Sequence, residues 1–144
     1  MRTLEEVRKE AEKLNNAIHD FLEYTGYDKY DELDCEYDMT AETVYIKDNV
    51  AAFLYNLDRL TPYIDRLQGT VSDHGHLHKN ANGRYELNGR EFTCGSSLEF
   101  LCTDGYHDIP YWRYSSIEAK NGEYYLTASP DTEMENLEVR VKRG

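Results

Sequence analysis

The apolar residues of this chain change their period once, and that change limits what the chain can fold into. Leu4, Val7, Ala11, Leu14, Ile18 and Phe21 recur at alternating steps of three and four residues, which draws one stripe along a helix. Thr3, three residues before Glu6, fits a capping box, and Gly26 can supply the left-handed residue that ends a helix. A first helix is predicted over residues 3–25. A second helical pattern carries Val50, Phe53, Leu54, Leu57, Leu60, Ile64 and Leu67 on one side and closes at Gly69. Pro62 falls inside it, so either the helix kinks there or Thr61 caps a new helix with Pro62 in its first position.

From about residue 70 the period becomes two. Short runs such as Arg84-Tyr85-Glu86-Leu87, Leu98-Glu99-Phe100-Leu101-Cys102, Trp112-Arg113-Tyr114 and Leu137-Glu138-Val139-Arg140-Val141 read as strands. Asn82-Gly83, Asn88-Gly89, Gly95-Ser96, Asp104-Gly105 and Asn121-Gly122 separate them. Asn-Gly suits the two positive-φ positions of a type I′ turn, so the first and last of these pairs are expected to close hairpins. The fold class is α+β: two N-terminal helices packed on a small antiparallel, barrel-like sheet of five to seven strands. One domain is expected over 1–144, with a helical part at 1–68, an acidic loop at 27–42 and a β part at 70–143.

Several motifs in order carry a resemblance. Leu77-His78-Lys79-Asn80, Gly83-Arg84-Tyr85-Glu86, Thr93-Cys94-Gly95, Leu98-Glu99, Trp112, Ile117-Glu118, Tyr124-Tyr125-Leu126 and the run 137–141 resemble a small uncharacterised β domain of Gram-positive bacteria and their mobile elements. Asn49 through Leu67 is similar to the helical segment found upstream in members of that family. The resemblance covers roughly residues 45–143. It implies a compact intracellular fold and a mobile-element setting, with no activity, catalytic residue or cofactor to carry over. The segment 27–42 lies outside it.

Charge narrows the function further. The 144 residues carry 28 acidic and 16 basic side chains, a formal net charge of −12. Such a chain repels polyanions, so direct binding of DNA or RNA is disfavoured. No apolar run approaches the ~20 residues of a membrane span, and no signal-peptide core follows Met1. Three cysteines are too few and too odd in number for a disulfide framework and point to a reducing, cytoplasmic compartment. The densest negative charge is at 28–42, where Asp28, Asp31, Glu32, Asp34, Glu36, Asp38 and Glu42 face a single Lys29.

Three constellations invite chemistry. His74, His76 and His78 could share one strand face and ligate a borderline metal such as zinc. Along a straight strand, however, they span about 13 Å at ~3.3 Å per residue, so convergence requires a bend at Gly75. The plainer alternative makes Leu77 a core residue and the histidines its exposed neighbours. Asp34-x-Glu36-x-Asp38 has the odd-position spacing of a calcium loop, but Met39 and Tyr45 stand where an EF-hand requires glycine and glutamate. Cys94 and Cys102 alternate with apolar residues and read as packed thiols, while acidic neighbours disfavour a thiolate at Cys35. No phosphate-cradling glycine loop and no Gly-x-Ser-x-Gly frame occurs.

The reading that remains is non-enzymatic, with no cofactor and no metal. Carboxylates interleaved with tyrosines imitate a nucleic acid, the tyrosines adding apolar anchors that a merely soluble surface does not need; the plainer alternative is a solvated loop that Tyr30 or Tyr37 docks onto the helices. The expected partner is the basic groove of a nucleic-acid-binding protein, a host nuclease or effector complex. Asp28, Tyr30, Asp31, Glu32, Asp34, Glu36, Tyr37 and Asp38 are the expected contact residues. The corresponding function is a mobile-element inhibitor of anti-CRISPR or anti-restriction type. The alternatives are a metal-dependent hydrolase or metal-binding module using the histidine strand, and a structural accessory subunit that self-associates through its helix stripe.

Overall fold

The computed structural model describes residues 1–27 and 33–143. The chain divides into two units, Met1–Gln68 and Gly69–Gly144, at the position where the apolar period changes.

The first unit is a pair of helices, α1 (Leu4–Thr25) and α2 (Ala41–Asp65). Both begin on threonine caps. Thr3 accepts from the Glu6 amide, and Thr40 accepts from the Thr43 amide, each satisfying one of the free amides of a first turn. The helices run antiparallel. The Arg8 guanidinium donates to the Leu67 carbonyl at one end of the pair, and Phe21 meets Phe53 with ring centroids 6.2 Å apart nearer the other. Between them Asp65 accepts from Asn15 Nδ2 and from His19 Nε2, each at 2.8 Å. Asn15 is buried, so its amide must be paired, and only one register pairs it with Asp65.

Pro62 does not start a new helix, because α2 continues through it to Asp65. The physical reason is local. Proline has no N–H to offer the Asp58 carbonyl four residues back, and the buried Thr61 hydroxyl donates to that carbonyl instead, at 3.0 Å.

The second unit holds eight strands: β1 (Thr70–His76), β2 (His78–Lys79), β3 (Tyr85–Leu87), β4 (Arg90–Glu91), β5 (Ser97–Cys102), β6 (Tyr111–Lys120), β7 (Glu123–Leu126) and β8 (Glu138–Arg143). They form a five-stranded sheet in the order β1-β8-β5-β6-β7 and a three-stranded meander β2-β3-β4, with every pairing antiparallel. The expected barrel does not form. β1 and β7 are the two ends of an open sheet, and the chain bends away after Leu77 to build the separate meander.

Leu98, Phe100, Ile117, Leu126, Val139 and Val141 share one core with Leu77, Leu87, Phe92 and Met134. Each large aliphatic or aromatic side chain buried there contributes about 1.5–3 kcal/mol. Asn121-Gly122, with φ of 55° and 79°, closes the β6–β7 hairpin in the expected type I′ manner. At the other expected site only Gly83 takes positive φ, because Asn80 organises a wider turn by accepting the Asn82 and Arg84 amides on its side chain. The second Asn-Gly pair with both residues at positive φ is Asn88-Gly89, between β3 and β4.

Two outcomes follow from the helix pair. Thr61→Val removes the donor to the Asp58 carbonyl while keeping the shape, and should destabilise the helices by about 1–3 kcal/mol, read from helical circular dichroism in urea titrations. Burial raises the Asp65 pKa, but the hydrogen bonds from His19 and Asn15 together outweigh it and hold the carboxyl below its ordinary value. A folded pKa below the unfolded one gives stability that is present above the unfolded value and lost as pH falls. The midpoint gap between wild type and Asp65→Asn should therefore hold at pH 6 and narrow as pH drops below about 4.

Candidate functional site

Of the expected contact residues, Asp28, Tyr30, Asp31 and Glu32 lie outside the described residues. The other four, Asp34, Glu36, Tyr37 and Asp38, are exposed and follow one another along a segment tied to both helices. At the first tie α1 ends on Gly26 at φ 62°, and the Asp34 amide donates to the Thr25 carbonyl at 2.8 Å. A Cβ on Gly26 would stand 2.5 Å from the Asp34 Cβ, so both the positive φ and the close approach require glycine here. At the second tie Asp38 accepts from the Thr43 hydroxyl at 2.8 Å in the first turn of α2. That places a carboxylate at the positive end of a helix, where it is favoured.

The tethered segment lines a cavity of about 550 Å³. Its apolar lining comes from Phe21, Tyr24, Leu33, Tyr37, Ile46 and Val50, and Asp34 and Glu36 contribute carboxylates. Lys47 is the single cation among the described lining residues. Tyr24 and Tyr45 stand exposed in the same unit. Among the described lining residues the one thiol, Cys35, is exposed.

The histidines do not converge. His74 and His76 lie on β1 and His78 on β2, with the buried Leu77 between them, as the plainer alternative had it. The His74 ring donates to Glu138 at 2.8 Å and the His78 ring to Glu135 at 3.0 Å. The hydrogen bond from His78 holds the Glu135 carboxyl below its ordinary value, helped by the Lys79 amide. Among the described residues no three His, Cys, Asp or Glu side chains are grouped closely enough to hold an ion. Cys94 is a correction: it is exposed on the turn before β5, whereas Cys102 packs against the core as expected.

The sheet assembles one constellation that the sequence does not announce. Backbone register sets His74 opposite Arg140, Arg140 opposite Glu99 and Glu99 opposite Tyr114 across four strands. Arg140 donates to Glu99 at 2.7 Å and lies 4.2 Å from the centre of the Trp112 ring, while His74 meets the same ring edge-on. Lys142 also reaches Glu99, at 3.3 Å. The alternation of charged and apolar residues along β8 was the available signal, but register joins the strands, and register is a tertiary fact. Trp112 thus carries the chain's own guanidinium on its face, which weighs against a ligand platform there.

Residues 75–141 match a family described as a domain of unknown function (DUF5348). The match runs from Gly75 in β1 to Val141 in β8 and includes neither helix, so it is narrower than the expected 45–143. No curated protein and no solved structure matches the chain. The acidic segment and its cavity lie outside the matched residues. No helix among the described residues is long and apolar enough to cross a membrane.

Gly26→Ala tests the tether. Moving an alanine into this left-handed position costs about 1–2 kcal/mol, and the Asp34 clash adds to it. Unfolding followed by helical circular dichroism should show at least that loss, whereas Gly83→Ala, with open space around its Cβ position, should lose only the conformational part.

Proposed function

We propose that this chain is a non-enzymatic interaction protein that presents an acidic, tyrosine-bearing surface to the basic groove of a nucleic-acid-binding partner. One observation carries the reading. A charged segment fixed to both helices borders an apolar cavity, and Asp34, Glu36 and Tyr37 belong to both the segment and the lining. A solvated loop needs neither the ties nor the apolar floor. A docking surface uses both, because preorganised carboxylates bind with less ordering cost and aromatic anchors carry much of an interface's energy.

Net charge supports the same reading. At −12 the chain approaches a cationic groove at a rate raised by long-range attraction and lowered by salt. In its sharpest form the protein is an inhibitor of anti-restriction or anti-CRISPR type, occupying the groove that the partner's nucleic acid would otherwise fill, in the cytoplasm of a bacterium that carries the mobile element.

The test is capture of host proteins on immobilised chain at low and high salt, followed by elution with duplex DNA. Basic nucleic-acid-binding proteins should be retained at low salt, released by DNA, and retained at least tenfold less by D34K/E36K/D38K with its circular dichroism unchanged. Retention that is indifferent to salt, to DNA and to the triple reversal would refute the proposal.

A further inference from the structure

The helix pair leaves one broad face uncovered, and that face has a regular repeat. On α1, Val7, Leu14 and Phe21 stand seven residues apart; on α2, Phe53 and Leu60 do the same, and Leu67 follows at the same spacing just past the helix end. In each helix this row lies beside the residues that fill the inner seam. On α1 those are Ala11, Asn15 and Ile18, and on α2 they are Leu54, Leu57 and Thr61. The antiparallel run, set by Arg8 against Leu67 and Phe21 against Phe53, brings the two rows to the same levels on the same side.

All six side chains are exposed, Leu14 at 64% and Phe53 at 56% among them. The opposite flank of α1 carries Glu5, Glu12, Asn16 and Glu23 at helical spacing. The pair as a whole is therefore amphipathic, with one apolar face outside its own seam.

We propose that this face is a dimerisation surface: two copies of the chain bring their α1–α2 pairs together as a four-helix bundle. Three observations favour a second copy as the occupant. A seven-residue repeat on both rows is the spacing that other helices interdigitate with, and a second copy supplies the same repeat from both of its helices. The six side chains leave on the order of 600 Å² of apolar surface open per copy, which with a polar rim approaches the ~800 Å² per partner of a stable interface. No charged residue occupies either row, and on the rim Glu10 and Lys13 pair with each other at 3.1 Å. The two rows themselves thus set no charge of one copy against the same charge of the other, as a self-complementary twofold contact requires.

The helix pair also lacks an adequate core without a cover. Among its described residues only Asn15, Ala51, Leu54 and Thr61 are buried, and two of those are polar.

The experiment is sedimentation equilibrium of the full chain from about 1 to 100 μM, a range centred on ordinary homodimer affinities. The expected mass is twice the 16.9 kDa of one chain. A single-chain mass throughout would overturn the proposal, since the face would then be closed within the chain or reserved for another protein. L14E/L60E should return the mass to one chain. Should that variant lose its helical circular dichroism, the milder Leu60→Ala should still weaken the dimer at least tenfold, and an unchanged dissociation constant overturns the proposal. Glu23→Lys, on the polar flank, should leave the doubled mass intact. Loss of the dimer in that variant would place the contact elsewhere and overturn it equally.

Discussion

Two helices in a hairpin share one seam, and the N-terminal unit is shaped by how little that seam holds. Among the described residues it buries one alanine, one leucine, one threonine and one asparagine, far less apolar volume than the ten-residue core of the β unit. What the seam lacks in apolar burial it partly replaces with specificity. Asn15 and His19 converge on one oxygen of Asp65. A buried amide of this kind adds little net stability, because desolvation offsets most of its hydrogen bond. It does penalise every register that would leave the amide unpaired, so the helices are set at one relative height.

That height positions the rest of the unit. The described residues that lead into α2, from Leu33 to Thr40, are anchored at both helix ends. Gly26 turns the chain at the first end, and Asp38 and Thr40 receive it at the second. Asp34 and Glu36 thereby border an apolar cavity while remaining exposed. Asp34 sits where α1 presents its negative end, a placement that costs a little within the unit.

The β unit solves a different problem. An open five-stranded sheet has two edges and two faces. One face is buried with Leu87 and Phe92 of the meander, and the other carries a cross-strand row of paired charges around Trp112. Pairing matters there, because an unpaired Glu99, whose side chain is 12% exposed, would carry a desolvation penalty with no compensation. The row is best understood as structural. Its histidine, arginine, lysine and carboxylates are spent on one another, and the three histidines of the 74–78 run are split between two strands.

Local chemistry made much of this legible from the residues alone. The Thr3-capped start of α1 obeys rules that operate within four residues, as do the left-handed Gly26, the Asn121-Gly122 hairpin and the burial of Leu77 between exposed histidines. They needed no knowledge of the rest of the chain. Where distant segments had to meet, the residues were silent or misleading: the sheet stayed open, and the cross-strand row around Trp112 was not announced. The sequence by itself determined the two periodicities, the boundary between the units and the place where negative charge accumulates. Tertiary structure alone decided which apolar row faces inward, that Arg140 covers Trp112, and that the acidic segment is tied down beside a cavity. The reason is that periodicity is carried by neighbours in the chain, whereas register and closure depend on which polar groups find partners tens of residues away.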